Sequence, residues 1–200
     1  MIENKYFINI SGYKKIVTSS CVNISSSLPY QKSLHLNRAV ISGSNGPIKL
    51  NIPVIKGRNQ RTPIGQVQVS FAENWRKDHW KAIVSSYNRS PWFEHYYDVM
   101  SSFYKNDFDR LFEWNLESLN IVNSILGVKT ACRIIEHPEE GTRLFSGEDH
   151  SQTEKVEDFE TDKSYLQVFS DRHGFLPDLS VLDLVFCAGP HRAMEYLTGT

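Results

Sequence analysis

Two histidines occupy places where a general acid or base would suit a group-transfer reaction. His79 shares a helical face with Trp75 and Ile83, because the three recur at intervals of four residues. His173 lies in "DRHGF", two residues after Asp171, whose carboxylate is close enough in sequence to orient an imidazole. Imidazole titrates near neutral pH and is the most frequent side chain in proton transfer. We therefore predict His79, His173 and Asp171 as catalytic residues.

Each histidine also has a structural interpretation. An imidazole inside an aromatic stripe, as at His79, is equally consistent with a core side chain that is packed and hydrogen-bonded. Asp171 and His173 are equally consistent with a turn between two elements, in which the carboxylate accepts backbone N–H groups. Both interpretations stay open on the sequence alone.

Five further polar side chains are candidates for binding a substrate. Asn37 and Arg38 begin a predicted strand, and a guanidinium is a planar fork that matches carboxylate or phosphate. Lys49 projects from the same predicted sheet, and Arg172 lies within the "DRHGF" turn. Asn115 interrupts an apolar helical stripe, where an unpaired amide would cost about 1–3 kcal/mol. Asn115 therefore either clamps another backbone or lines a site, and Arg38 and Lys49 are otherwise ordinary surface side chains.

Composition narrows the classes of partner. The formal net charge is −1 and the isoelectric point is about 6.7, so no basic excess favours nucleic acid or anionic lipid. No apolar run approaches the roughly 20 residues of a membrane span, and the first residues do not resemble a signal peptide. We expect a cytoplasmic protein whose partner is a small-molecule or sugar-linked substrate. The oligomeric state is not predicted.

The sequence also lacks the common signatures of metal and cofactor sites. HExxH, GxxxxGK[ST], GxGxxG and GxSxG are absent, and no two cysteines are spaced as metal ligands. We therefore predict no metal site and no cofactor.

Hydrophobic periodicity predicts strands in the first third of the chain and helices after it. Alternation favours strands at 5–10, 21–25, 36–42, 47–55 and 65–71, with a weak helix between the first two. Helices are predicted at 74–87, from Pro91, and at 107–126 before a stop at Gly127. A further strand covers 128–136, "YLQVF" is extended, and two closing helices follow a cap at Asp178 or Ser180.

These elements predict an α+β (mixed α/β) protein, in which a small mixed or antiparallel sheet from the N-terminal half packs with C-terminal helices. Its length favours a single domain over residues 1–200. Residues 137–164 are acidic and poor in apolar side chains, so we predict a mobile loop there.

The ordered segments of the chain together resemble the WbqC-like protein family. They are "NRAVISGSNGPIKLNIPV", "NWRKDHWKAIVSSYNRSPWFEHY", "LFEWNLESLNIVNSILG" and "YLQVFSDRHGFLPDLSVLDLVFCAGP", and the resemblance covers roughly residues 36–198. The resemblance implies a setting in O-antigen or other surface-polysaccharide biosynthesis, including transfer of an amino acid to a sugar. The positions that match family features with plausible chemistry are Asn37–Arg38, His79 and Asp171–His173.

The N-terminal quarter departs from this family pattern. Many members begin with a Gln-Pro-x-Tyr-like stretch, of which "NKYFIN" keeps only Tyr6 and Phe7, and many carry an acidic pair where this chain has Ser25, Ser26 and Ser27. Two functions follow from the resemblance and the departure. One is an acyl- or aminoacyl-transferase that modifies a sugar, and the alternative is a non-catalytic binding or assembly protein on a diverged enzyme scaffold.

Overall fold

The structure is a computed structural model, and it describes residues 1–55, 62–136 and 165–199. Six α-helices and four strands are present in these ranges. In chain order they are α1 (Ile10–Val17), β1 (Cys21–Ser25), β2 (Arg38–Gly43), β3 (Gly46–Asn51), α2 (Trp75–Tyr87), α3 (Phe93–Phe103), α4 (Leu111–Leu126), β4 (Ala131–Ile135), α5 (Ser170–His173) and α6 (Val181–Thr198). Short 3-10 turns lie at Lys32–Leu34 and Ile64–Gln66.

The described strands pair as two separate two-stranded sheets. β1 and β4 are parallel, with Cys21 opposite Ala131 at one end of the ladder. β2 and β3 form an antiparallel hairpin that closes between Gly43 and Gly46. Helix α2 packs on this hairpin, and α1 and α4 both pack against α6. The α+β class is therefore confirmed, with the strands divided between a parallel pair and a hairpin.

Two of the predicted strands are wrong. Residues 65–71 alternate as a strand does, but they contain the 3-10 turn and make only single bridges, Val69 to Val54 and Gln68 to Arg110. Residues 5–10 are not a strand either, because Phe7 has a positive φ of 33° and α1 begins at Ile10. A half-buried strand needs alternating apolar and polar residues, but a hydrogen-bonded ladder also needs a second strand beside it.

The helices lie near their predicted positions, and α3 and α4 start later than expected. α2 begins after Asn74 as predicted, although the Asn74 side chain makes no capping hydrogen bond. α4 begins at Leu111 and not at Asp107, because the backbone N–H of Arg110 donates to the carboxylate of Glu113 and sets the first turn. Gly127 ends α4 with φ 64°, which confirms the predicted stop.

The C-terminal helices lie where the sequence pattern predicts them, but their boundaries differ from the prediction. The "DRHGF" turn is one turn of helix, α5, and ends at Gly174 with φ 75°. Ser180 caps α6 by accepting the N–H of Leu182. Asp178 instead accepts the N–H of Ser11, in the first turn of α1. The two predicted closing helices are the halves of α6, which breaks at Gly189.

The acidic segment 137–164 lies outside the described residues, so its predicted mobility stays a prediction.

Candidate functional site

His79 is a core residue with a complete set of hydrogen bonds. Its side chain is buried, Nδ1 lies 3.2 Å from the hydroxyl of Tyr6, and the ring also bonds to the backbone of Asn51. The Tyr6 hydroxyl lies 2.6 Å from that of Tyr104. Burial lowers the pKa of His79 from 6.5 to about 4, and the bond to Asn51 offsets this only in part. At neutral pH the ring is uncharged and bridges the N-terminal segment to the hairpin.

His173 lies at the other end of the hairpin. Its Nε2 is 3.0 Å from the carbonyl oxygen of Gly43, whereas His79 bonds at Asn51, opposite Arg38. Five residue steps along β2 separate these ends, which is about 16 Å at the rise of a strand. The structure therefore does not bring the two imidazoles into one site.

The other polar groups of α5 face solvent. Asp171 and Arg172 are exposed, and the Arg172 guanidinium lies 5.8 Å from the centre of the Phe169 ring. The segment is a turn, as the structural interpretation predicted, but it has no side-chain cap. The roles of Asp171 and Arg172 in catalysis or binding stay predictions.

The polar pair at the start of β2 closes the open end of the hairpin. Asn37 donates to the carbonyl of Ile52 at 2.7 Å and accepts the Tyr30 hydroxyl at 3.2 Å. Arg38 donates from Nε to the side-chain oxygen of Asn51 at 2.7 Å. Lys49 is exposed on β3. These partners fix Asn37 and Arg38 in place, and the substrate-binding role of all three residues stays a prediction.

Asn115 is a predicted substrate-binding residue that lines a hollow in the structure. Its amide nitrogen donates to the carbonyls of Asn4 at 2.8 Å and Leu36 at 3.0 Å, so it clamps two other segments to α4. Its amide oxygen is buried and has no hydrogen-bond partner. The side chain also lines a hollow beneath the N-terminal segment. Both interpretations of Asn115 therefore have support in its surroundings.

The first residues of the chain divide this hollow from a second one beside it, and we call the two together the N-terminal cleft. Ile2 bridges to Ile24 of β1, which lays the segment across the core, and Glu3 and Lys5 line both hollows. Each hollow is small, with a volume of about 10 Å³, which is room for a group the size of one water molecule, and each is partly open to solvent. The first is lined by Ile2, Glu3, Asn4, Lys5, Ile8, Ile16, Ile24, Asn115 and Leu119. The second is lined by Ile2, Glu3, Lys5, Ile8, Asn9, Gly12 and Lys15.

A tight approach inside α1 shapes the second hollow. A Cβ at Gly12 would lie 2.7 Å from the Ile8 side chain, closer than carbon atoms approach without displacement. Glycine therefore lets the segment before α1 fold back against the helix.

Burial shifts the pKa values of two charged residues of the N-terminal cleft, Glu3 and Lys5, toward neutrality. It raises the pKa of Glu3 above 4.5, and the nearby Lys5 and Lys15 ammonium groups offset this in part. It lowers the pKa of Lys5 below 10.5, and Glu3 and Asp178 offset this in part. A carboxylate with a raised pKa is a stronger base, and an ammonium with a lowered pKa is a stronger acid. Such shifted pairs in a cleft are typical of functional sites.

A second buried carboxylate, Asp183 in the first turn of α6, has a different character. It accepts hydrogen bonds from the hydroxyls of Tyr87 and Tyr165 and from the Gln167 amide. Burial raises its pKa, and these three bonds lower it in part. Because its contacts tie residues 165–167 to α2 and α6, Asp183 acts as a structural latch.

The sequence interpretation missed Glu3, Lys5 and Asp183. Asp183 has a local signal, since it is an isolated carboxylate in the apolar run "SVLDLVF". Glu3 and Lys5 have a weaker one, as polar residues that alternate with Ile2, Asn4 and Tyr6, all of which are buried. The first hollow has no local signal, because its walls join residues 2–24 to Asn115 and Leu119 of α4, which are distant in sequence.

Comparison with protein-family models identifies the class to which this fold and cleft belong. The model of the WbqC-like protein family matches residues 6–152, nearly three quarters of the chain. The chain belongs to the WbqC-like protein family. The match extends further toward the N-terminus than the resemblance at 36–198 indicated, and Asn9, Gly12 and Asn115 of the N-terminal cleft lie inside it.

Searches of curated proteins and of solved structures found no match to this chain. None of the helices in the described part of the chain has the length and apolar character that a membrane crossing requires. Within residues 1–55, 62–136 and 165–199, no three His, Cys, Asp or Glu side chains are grouped so that they could hold a metal ion.

Proposed function

We propose that this protein is a cytoplasmic transferase of surface-polysaccharide, O-antigen-type biosynthesis, and that it transfers an acyl or aminoacyl group to a sugar in the N-terminal cleft. The biosynthetic setting comes from the family resemblance. The observation that carries the reaction type is the pair formed by Glu3 and Lys5, a partly buried carboxylate and a partly buried ammonium that line the same hollow. Acyl transfer to an acceptor needs both functions.

Each partner of the pair has one task in the reaction. The Glu3 carboxylate removes a proton from the acceptor amine or hydroxyl of the sugar, whose freed electron pair forms a bond to the carbonyl carbon of the acyl donor. The bond from that carbon to the leaving group then breaks. The Lys5 ammonium gives its proton to the leaving group, a thiol or an alcohol. Proton transfer from the carboxyl group of Glu3 to the amine of Lys5, directly or through water, restores the starting state.

The surrounding residues hold this pair in place. Asn115 fixes the backbone between Glu3 and Lys5 through the carbonyl of Asn4. His79 holds the next residue by its contact with the Tyr6 hydroxyl. In this proposal Asn115 is a substrate ligand, and His79 is a positioning residue rather than the catalytic base.

The test is a transfer assay with intact-mass readout. Purified protein is incubated with nucleotide-linked amino sugars and acyl-CoA thioesters, and product is detected as a mass gain of the sugar nucleotide. Glu3→Gln and Lys5→Met should each reduce turnover by about 100-fold, the lower end of what general acid–base catalysis supplies. Glu94→Gln and Lys81→Met, which alter exposed residues of α3 and α2, should keep it. Turnover that survives in both cleft variants would contradict the proposal.

One observation favours the alternative of a non-catalytic binding protein. Ser25 and Ser27, where many relatives carry carboxylates, bond only to each other, with hydroxyls 3.2 Å apart. If these carboxylates are needed for turnover, the chain retains a binding cleft only. The same panel distinguishes the two functions, because a binding protein gains thermal stability with a ligand but yields no product.

A further inference from the structure

Three of the residues that line the first hollow have a buried side-chain oxygen without a hydrogen-bond donor. Six buried side-chain polar atoms in the described residues have no partner, and three of them belong to residues of this hollow. These three are Glu3 Oε1, Asn4 Oδ1 and Asn115 Oδ1. The other three are two serine hydroxyls and an indole nitrogen. In the described residues, the unpartnered buried atoms that can only accept hydrogen bonds therefore all belong to residues of this hollow.

The two amides cannot turn to present nitrogen instead. The Asn115 nitrogen already donates to two backbone carbonyls, and the Asn4 nitrogen donates to the carbonyl of Phe112 at 3.3 Å. A flip of either amide would place its oxygen against those carbonyls and lose the bonds. Both side chains are more than nine-tenths buried, so bulk water does not satisfy their oxygens.

Orphaned acceptors of this kind are costly unless a ligand supplies donors. A hydroxyl supplies one donor and a water molecule two, whereas a primary ammonium supplies three. The Glu3 carboxylate adds an attraction for positive charge, and charge-assisted hydrogen bonds are stronger than neutral ones. The hollow thus matches a primary ammonium in both donor number and charge.

We infer that the first hollow of the N-terminal cleft binds the primary ammonium group of an amine substrate, through Glu3, Asn4 and Asn115. This deepens the proposed function and rests on it for the identity of the site: the acceptor is an amine and not a hydroxyl. Glu3 holds the ammonium, takes one proton from it and passes that proton to solvent water, which yields the neutral amine and restores the carboxylate that accepts the second proton during transfer. Lys5 lines the same hollow, and its ammonium group repels the bound cation.

The test is a titration of the full chain with small probes, followed by NMR of the side-chain amide groups. Methylammonium carries three N–H donors, tetramethylammonium carries the same charge with none, and methanol carries one donor without charge. The two ammonium salts replace sodium chloride so that the ionic strength stays constant. Methanol is added directly. Methylammonium should shift the Asn4 and Asn115 amide signals saturably, and the other two should not. Equal shifts with tetramethylammonium or methanol, or no saturable shift because the hollow takes only water, would overturn the inference.

Two variants keep the result independent of folding and of catalysis. Glu3→Gln should weaken methylammonium binding by about tenfold or more. Lys5→Met should strengthen it by removing repulsion, although the same change should reduce transfer by about 100-fold. Unchanged affinity in both variants would overturn the inference.

The two proposals can fail separately. Specific methylammonium binding with no product in the transfer assay leaves the amine site standing and removes the transferase. Product in the transfer assay, with equal responses to the three probes, leaves the transferase standing and removes the amine site.

Discussion

The side chain of Asn115 donates to the backbone carbonyl of Asn4 at 2.8 Å, across 111 positions of the sequence. The same amide nitrogen donates to Leu36, so one residue of α4 fixes both the N-terminal segment and the entry to β2. The N-terminal cleft exists because this clamp holds Glu3 and Lys5 against the core.

Loss of the clamp should destabilise the fold. Asn115→Ala leaves the carbonyl of Asn4 without this donor and removes one of two donors from the carbonyl of Leu36, which keeps the N–H of Tyr6. A buried unsatisfied group costs about 1–3 kcal/mol. We expect a loss of about 3 kcal/mol in the free energy of unfolding, measured by urea denaturation. Asn120→Ala, at an exposed position on the same helix, should change it by about 0.5 kcal/mol or less. Similar values for the two variants would show that the clamp does not stabilise the protein.

The buried imidazole of His79 should make the fold sensitive to acid. Its pKa is about 4 in the folded state and 6.5 in the unfolded chain, so the unfolded state binds the proton more tightly. The stability from this residue is complete above pH 6.5 and is lost as the pH falls toward 4, by about 3 kcal/mol. Denaturation at pH 7.5 and pH 4.5 should show most of this loss.

Two histidine variants test whether His79 causes this loss of stability at acid pH. His79→Gln should lower stability at neutral pH, because the hydrogen bonds change, but should flatten its fall between pH 7.5 and 4.5. His191→Gln, at a position with 88% side-chain exposure, should keep the wild-type slope. A wild-type slope in His79→Gln would show that other groups cause the acid sensitivity.

Removal of the Asp183 carboxylate should open the latch on residues 165–167. Asp183→Ala leaves the hydroxyls of Tyr87 and Tyr165 without this acceptor and removes one of three acceptors from the Gln167 amide. We expect a cost of about 3 kcal/mol. Hydrogen exchange should also speed up at the N–H of Leu176, which bonds to the Gln167 side chain at 2.8 Å. Asp98→Ala on the exposed face of α3 is the matched control and should do neither.

The break in α6 depends on a glycine that no other residue can replace without strain. Gly189 has φ 79°, and a Cβ there would overlap the indole ring of Trp92. Gly199 has a similar φ of 76° in open space, so Gly199→Ala isolates the backbone contribution. Gly189→Ala should cost more than Gly199→Ala, and Trp92→Ala should recover part of the difference in the double variant. Equal costs at the two glycines would mean that the indole moves aside freely.

Sequence patterns correctly predicted the secondary-structure elements that have a local signal in their own residues. The four-residue recurrence of Trp75, His79 and Ile83 placed α2, and the Gly127 stop placed the end of α4. Residues 65–71 misled because alternation describes one strand face and not the presence of a partner strand.

The site was only partly predictable for a related reason. Asn115 was recognised as an amide on an apolar face, and its clamp was one of its two predicted interpretations. Glu3 and Lys5 gain their character from burial against α1, β1 and α4, which only the tertiary structure supplies. His79 and His173 appeared equivalent as candidates, yet they contact opposite ends of one hairpin.

The central claim, that Glu3 is the base and Lys5 the acid of the N-terminal cleft, is tested most directly by the pH dependence of kcat/KM for transfer to an amino sugar. The active form needs Glu3 ionised and Lys5 protonated, so the profile should be a bell whose acid limb lies above 4.5 and whose alkaline limb lies below 10.5. Glu3→Gln should remove the acid limb from the residual activity, and Lys5→Met the alkaline limb. A bell that keeps both limbs in both variants would contradict the account.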